Sequence, residues 1–348
     1  MRAVVFRSER EVSYESVPDP RIDRPTDVLV RVRLTAICGS DLHVFHGRES
    51  GLDAGTVMGH EFVGEVLECG AEVSAWKPGD PVLSPFTTSC GSCFYCREGL
   101  TARCLHGELF GWVQDGRGLH GAQAEYVRVP LAESTLVSIP DGVSDEEALL
   151  LGDVLSTGYY CARRADIRPA GTYVVLGCGP VGLMAVVGAR ELGAETLYAV
   201  DAVPERLAHA ARLGARPLNY RSENPVAVVR EATAGRGADA VLEAVGSPEA
   251  TRLAIDLVRP GGTVSAVGVH TEKQFPFSPV QAYDKNLTYR IGRCPARAVL
   301  QELIPLVQRK QYDLASVISH QLPLSRGAEG YAMFDEKRDG CTKVALRP

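Results

Sequence analysis

The sequence predicts an α/β protein with two parts: a β-rich domain of short strands, and a doubly wound parallel sheet with helices on both faces. Three observations carry that expectation. The 348 residues are too many for one small core and suit two domains. Residues 1 to about 150 hold short alternating or β-branched runs broken by Gly, Pro and Asp. From about 155 onward, apolar strand-like runs alternate with helical segments, several of which end in glycine.

In the first part, VLVRVRLTAI (28–37) is dense in β-branched and apolar residues, and FVGEVLECG (62–70) alternates. VSAWKPGDPV (73–82) carries turn punctuation, and AEYVRVPLAESTLVSIP (124–140) predicts two short strands around a break. In the second part the strand-like runs are TYVVLG (172–177), TLYAVD (196–201), ARPLNY (215–220), DAVLEAVG (239–246), GTVSAVGV (262–269) and NLTYRIG (286–292). Helical patterns lie between them. Continuous apolar runs with crossovers describe a parallel sheet covered on both faces. From about 295 a helical ARAVLQELIPLVQRKQY precedes a strand-like CTKVALRP, whose partner the pattern leaves open.

Composition narrows the function. With 45% apolar and 23% charged residues the chain reads as an ordinary globular protein, and its net charge of −6 argues against nucleic-acid or anionic-membrane partners. A small-molecule enzyme is the natural expectation. The first residues, MRAVVFRSEREVSYE, hold no uninterrupted apolar run, so no secretory signal is expected. Ten cysteines then suggest a reducing, cytoplasmic setting and metal or thiol chemistry rather than disulfides. The uncharged stretch YVVLGCGPVGLMAVVGA (173–189) is short for a membrane span and holds Pro180 and several glycines; strand, turn and helix fit it better.

That stretch contains GCGPVG: Gly177, Gly179, Pro180, Val181 and Gly182. The glycines close a predicted strand and open a predicted helix, the context in which the pattern means dinucleotide binding. The first makes the turn, the second admits a pyrophosphate, the third lets helix pack on strand. The phosphates would sit at the helix N-terminus. Asp201 ends the next strand, nineteen residues after Gly182. A carboxylate there accepts from both ribose hydroxyls and repels a 2′-phosphate, so NAD is expected over NADP. Arg206 pulls the other way, since it could neutralise a phosphate. The plainer alternatives are a strand-end turn residue for Asp201 and a solvated helix face for Arg206.

Cys90, Cys93, Cys96 and Cys104 follow the spacing C-x-x-C-x-x-C-x(7)-C in a segment expected to be a loop. Four thiolates so spaced wrap one ion tetrahedrally, zinc or an iron–sulfur cluster. Four thiolates leave zinc no open position, so such a site folds a loop rather than doing chemistry.

A catalytic zinc needs three protein ligands and a vacancy. CGSDLH (38–43) offers Cys38 and His43, GHEFVG (59–64) offers His60 and Glu61, and GDVLSTG (152–158) offers Asp153. Singly each is ambiguous: a lone Cys38 is more often a small buried hydrophobe, a lone His60 merely hydrogen-bonded. Jointly, and in this order and spacing, these motifs with the four-cysteine segment and the glycine turn resemble the zinc-dependent medium-chain alcohol dehydrogenase family over nearly the whole chain.

The resemblance implies a GroES-like β-barrel catalytic domain (1–153), a Rossmann NAD-binding domain (154–294) and a C-terminal segment (295–348) that completes the first. It implies two zinc ions per chain: a structural one on the four cysteines, and a catalytic one on Cys38, His60 and Asp153, with Glu61 close behind and able to exchange for water. Aspartate at 153 resembles the formaldehyde dehydrogenase-like branch. Asp41 would hold the second nitrogen of His60. Ser40 would lie beside the substrate oxygen, with His43 as relay to solvent and Phe86 in the substrate pocket. Thr157, Arg206, Val267, Val269 and Lys343 match cofactor contacts. The implied reaction moves hydride between a zinc-bound alkoxide and NAD, giving an aldehyde or ketone. The implied assembly is a homodimer or homotetramer. Alternatives are a non-catalytic nucleotide-binding protein of the same fold and a zinc-free quinone reductase, the latter disfavoured by both ligand sets. Alcohols, polyols, threonine-like amino-alcohols and formaldehyde all stay open as substrates. Pocket shape would depend on loops near Phe45, Phe86, Trp112 and Ile291.

Overall fold

In the computed structural model, which describes residues 1–348, the run VLVRVRLTAI forms one strand, Val28–Ile37. It is the spine of the first of two units into which the chain divides: residues 1–153 with 295–348, and residues 154–294. One edge of the spine pairs antiparallel with Glu61–Cys69. Its other edge is shared: Tyr126–Val129 pairs with residues 28–31, and Val344–Arg347 with residues 35–37. Register shifts at Leu29/Val30 and Val32/Leu34 bend the strand, as bulges do, and let it serve both partners. The sheet continues from Glu61–Cys69 through Pro81–Ser84 to Val137–Ser138, and on the far side through His320–Pro323.

Alternation decides what this unit buries. Val28, Val30 and Val32 share one face and pack with Phe62, Val66, Val82, Phe110 and Val127. At the other end Ile37 packs with Val4, Phe6, Met58, Tyr331, Val344 and Leu346. The strand-like C-terminus, left without a partner by its pattern, thus belongs to the spine of this unit.

The second unit is a six-stranded parallel sheet: β1 (Thr172–Leu176), β2 (Thr196–Asp201), β3 (Arg216–Asn219), β4 (Ala238–Glu243), β5 (Val258–Ala266) and β6 (Thr288–Ile291). Their order across the sheet is β3-β2-β1-β4-β5-β6. All five residues of β1 are buried, as expected for a central strand covered on both faces. The order reverses between β1 and β4, and ligands of such sheets bind at that switch point. The crossover helices Pro180–Glu191, Pro204–Arg212, Pro225–Ala232 and Pro248–Leu257 all start with proline, where a missing N–H costs nothing.

Some local structure departs from expectation. The CGSDLH segment forms a short helix, Gly39–Phe45. The four-cysteine loop contains a one-turn helix, Phe94–Arg97, and a 3-10 turn, Thr101–Arg103. VSAWKPGDPV is mostly turn, in keeping with its Pro-Gly-Asp punctuation, and its strand starts at Pro81. No helix is long and apolar enough to cross a membrane.

Candidate active site

Four buried donors converge in the first unit: Cys38 Sγ, a His60 ring nitrogen, and carboxylate oxygens of Glu61 and Asp153, all within 4.8 Å of one another. Different elements deliver them. Cys38 lies between the spine strand and the helix Gly39–Phe45. Glu61 opens the strand paired with the spine, and His60 precedes it. Asp153 caps the C-terminus of the helix Asp145–Gly152. Gly59 must be glycine: its φ is +91°, and a Cβ there would lie 2.4 Å from Gln123 Cγ.

Asp153 Oδ2 lies 3.4 Å from Cys38 Sγ and 3.3 Å from His60 Nε2. Behind them, Asp41 Oδ1 lies 3.2 Å from His60 Nδ1 while its Oδ2 accepts from the Cys38 N–H at 2.9 Å. One carboxylate thereby orients the imidazole and fastens the start of the short helix. Gln123 Nε2 donates to Asp41 Oδ2 at 3.2 Å and to the Ala36 carbonyl at 3.1 Å; the Tyr331 hydroxyl donates to Gln123 Oε1 at 3.0 Å. Gln123 and Tyr331 belong to no motif, so the sequence offered no signal for this support.

The electrostatics fit a cation. Burial, then Asp153 and Glu61, pushes the Cys38 thiol up to about 11. Burial, reinforced by Asp153 and only partly offset by Lys343, raises Glu61 to about 7. Burial disfavours the imidazolium of His60, yet Asp41, Cys38 and the bonds to Asp153 and Asp41 raise it well above its ordinary value. Burial likewise opposes ionisation of Asp153, but the His60 bond and charge outweigh it and hold the carboxyl at about 2. The Cys38 thiol would ionise near neutral pH only beside a further positive charge, such as a bound cation would supply. One thiolate, one imidazole and a carboxylate make a zinc donor set.

Lys343, matched to a cofactor contact by the resemblance, is also tied to the donor cluster. It is fully buried, with Nζ 2.8 and 2.7 Å from the two oxygens of Glu61 and 3.3 Å from the Ile37 carbonyl. The pair engages both oxygens of Glu61, the remaining donor beside Cys38, His60 and Asp153.

Around the donors, Ser40 Oγ lies 3.3 Å from His60 Nε2. Phe86 is buried edge-on to the His60 ring, centroids 6.3 Å apart. His43 is half-buried, its Nδ1 without a hydrogen-bond partner; burial, then Arg48 and His46, lowers its pKa and keeps it neutral.

The sulfurs of Cys90, Cys93, Cys96 and Cys104 form a second cluster, also within 4.8 Å of one another. Backbone N–H groups point at them: Cys90 to Cys104 Sγ at 3.2 Å, Cys93 to Cys90 Sγ at 3.3 Å, His106 to Cys104 Sγ at 3.4 Å. Such bonds favour thiolates. Cys90 is held down to about 6, with the Ser92 and Cys93 bonds outweighing burial. Four half-buried sulfurs with no other donor suit a closed, structural ion.

In the second unit the glycine turn joins β1 to the helix Pro180–Glu191. Gly177 has φ +83°, and a Cβ on Gly182 would lie 1.7 Å from the Gly177 carbonyl oxygen, so helix and turn touch backbone to backbone. A Cβ on Gly179 would meet nothing nearer than Arg206 Nη1 at 3.8 Å, which leaves room for a ligand beside a guanidinium. Pro180 and Val181 start the helix. Asp201 ends β2; its Oδ2 accepts from Cys178 N–H at 2.7 Å, its Oδ1 from Ala202 and Val203 N–H at 2.7 and 2.9 Å. The carboxylate is thus anchored beside the turn. Thr157 is buried in the helix Val154–Arg163, while Val267 and Val269 lie just beyond β5, Val269 exposed.

A β-rich unit with a buried cluster of metal-type donors, joined in sequence to a dinucleotide-type sheet, points to the class of metal-dependent dehydrogenases. Comparison with known proteins sharpens this. Two family profiles match: the alcohol dehydrogenase GroES-like domain over residues 24–141, and the zinc-binding dehydrogenase domain over residues 180–309. The zinc-type alcohol dehydrogenase B of Aspergillus flavus is 45% identical over 343 residues, covering 96% of this chain and 79% of that protein. The solved alcohol dehydrogenase TADH from Thermus sp. ATN1 superposes with a TM-score of 0.93 at 43% identity, covering 100% of this chain and 99% of that one. A putative zinc-binding dehydrogenase from Sinorhizobium meliloti 1021, solved bound to NADP, gives a TM-score of 0.83 at 26% identity, covering 100% of this chain and 99% of that one. The chain belongs to the zinc-dependent medium-chain alcohol dehydrogenase family and is an oxidoreductase with a GroES-like and a Rossmann domain.

Proposed function

We propose that the chain oxidises an alcohol or polyol to an aldehyde or ketone, with NAD as hydride acceptor and zinc held by Cys38, His60 and Asp153. The observation that carries this is the convergence of Cys38, His60 and Asp153 donors with Glu61 engaged by Lys343: a zinc held by those three would keep a fourth position for substrate, as a catalytic zinc needs. When bound, zinc supplies a Lewis acid that makes an alcohol hydroxyl acidic near neutral pH. The chain's own residues do the rest. Asp41, backed by Gln123 and Tyr331, fixes the His60 tautomer. Ser40 Oγ, beside His60 Nε2, takes the proton from the alcohol hydroxyl. His43 lies three residues on in the same short helix, the spacing at which helix side chains are neighbours. Its neutral ring and unpartnered Nδ1 suit it to receive that proton and pass it to solvent. Phe86 walls the site and keeps water from it. The nicotinamide carries the redox step, and the protein contributes placement.

Asp201 supports NAD over NADP, because a 2′-phosphate would meet its anchored carboxylate. Arg206 beside Gly179 is the one group that softens this preference. The four-cysteine lobe is proposed to hold a second, structural zinc. The proposed assembly is a homodimer or homotetramer, supported by the unpaired outer edge of β6 with Ile291 exposed on it; sedimentation velocity tests it. The function itself is tested by following nicotinamide reduction over a panel of alcohols, polyols, amino-alcohols and formaldehyde, with NAD and NADP side by side, before and after chelation. NAD-dependent turnover that chelation abolishes supports the proposal. Silence on the whole panel, with both metals bound, favours a nucleotide-binding protein that has given up the reaction.

A further inference from the structure

Glu243 closes β4 at the switch point, in register with Leu176 of β1 on one side and Ala266 of β5 on the other. No part of it is exposed. A carboxylate buried there is costly unless its oxygens are well used. Its Oε1 accepts from Val245 and Gly246 N–H, at 2.7 and 2.8 Å, in the loop leaving β4. Its main-chain oxygen accepts from Val267 and Gly268 N–H, at 3.0 and 3.3 Å, in the loop leaving β5. One residue thus ties both loops. They also touch directly: a Cβ on Gly268 would lie 2.2 Å from Gly246 N, and one on Gly246 2.3 Å from the Val269 oxygen. The first loop bears in turn on the glycine turn, since a Cβ on Gly177 would lie 2.5 Å from Val245 Cγ2.

The second oxygen, Oε2, has no hydrogen bond, and 3.4 Å away is His270 Nε2, also without one. His270 follows Val269 directly and is mostly buried, with 18% of its side chain exposed. We infer that Glu243 and His270 form a strut that sets the two loops at the switch point, and that Glu243 is therefore a positioning residue for the cofactor. The strut fixes Val267 and Val269 relative to the glycine turn, so the crest on which a dinucleotide lies exists before the ligand arrives. Preformed sites bind more tightly because less ordering is left to do. This rests on the proposal that the second unit binds a nicotinamide dinucleotide.

The test titrates NADH into full-length, metal-loaded protein and follows nucleotide fluorescence, which needs no turnover. It compares the wild type with Glu243→Gln, His270→Ala, His270→Gln and the double variant Glu243→Gln/His270→Ala. Glu243→Gln and His270→Ala are each expected to weaken NADH about tenfold, with kcat at saturating cofactor within about twofold. The double variant is expected to be no worse than either single, because both break one contact. His270→Gln keeps an N–H donor and is expected to recover most of the affinity. Unchanged affinity in Glu243→Gln and His270→Ala overturns the inference, as do multiplicative losses in the double variant. If Glu243→Gln does not fold, His270→Ala and His270→Gln decide the matter alone. Wild-type protein that binds no NADH overturns the dinucleotide proposal itself, which separates that failure from failure of the strut.

Discussion

Lys343 and Glu61 are both fully buried, and each is the other's only opposite charge in direct contact. Removing one member of such a pair strands the other, a loss of about 3–5 kcal/mol in comparable cases. Lys343→Met should therefore lower the unfolding free energy extrapolated from urea melts by an amount in that range. A loss below about 1 kcal/mol would mean that Glu61 is already protonated in the folded protein. The neighbouring Cys38 answers a different question. It sits on no such pair but among the metal donors, so Cys38→Ser should abolish turnover and empty this site while leaving NADH binding intact. An active Cys38→Ser enzyme would remove the catalytic-zinc assignment. At this scale the sequence was informative only where chemistry is local. Cys38, His60 and the glycines stand in short motifs. The Lys343–Glu61 pair is not legible because its members lie 282 residues apart, and Gln123 and Tyr331 reach Asp41 only through tertiary packing.

Elements show the same division. The runs around β1, β2 and the spine strand are legible because burial on one or both faces writes itself into every or every second residue. The helix Gly39–Phe45 is not: seven residues are too few to show an apolar stripe, and its start is fastened by local bonds between Cys38 and Asp41. The four-cysteine lobe lies between these cases. Its spacing reveals an ion site, but its one-turn helix, Phe94–Arg97, is too short to leave a periodic pattern. Cys104→Ser should accordingly lower the melting temperature and the metal content by one ion per chain, with NADH affinity unchanged. Unaltered thermal stability would deny the lobe its structural role. Another connection responds to pH. His120 Nδ1 accepts the Val57 N–H at 3.1 Å, so the imidazole must be neutral, and burial, then Arg128, lowers its pKa below 6.5. A histidine depressed on folding stabilises the native state above its unfolded pKa and loses that contribution as pH falls toward the folded value. The stability gap between wild type and His120→Asn should thus be largest above pH 6.5 and shrink on acidification. A gap that widens instead would mean that the ring is protonated in the native state.

At the scale of the whole molecule, the chain leaves its first unit at Asp153 and returns to it at Pro295. The second unit is one continuous segment with its own sheet and core. The first needs both ends of the chain: Val344, Ala345 and Leu346 pair with Ile37, Ala36 and Thr35 of the spine, and all three are fully buried. Fully burying a valine or leucine contributes about 1.5–3 kcal/mol, so losing this strand removes a large part of a domain's net stability. It also removes Lys343 from Glu61 and exposes the edge of the strand that leads to Cys38. A chain ending at Cys341 should therefore lose the four-donor site and its metal while the second unit still binds NADH. Fluorescence titration and metal analysis on the same preparation separate the two effects. Retained metal at Cys38 would show that the C-terminal strand is an accessory to the first unit. Loss of NADH binding along with the metal would show that the continuous segment does not hold its fold without its neighbour.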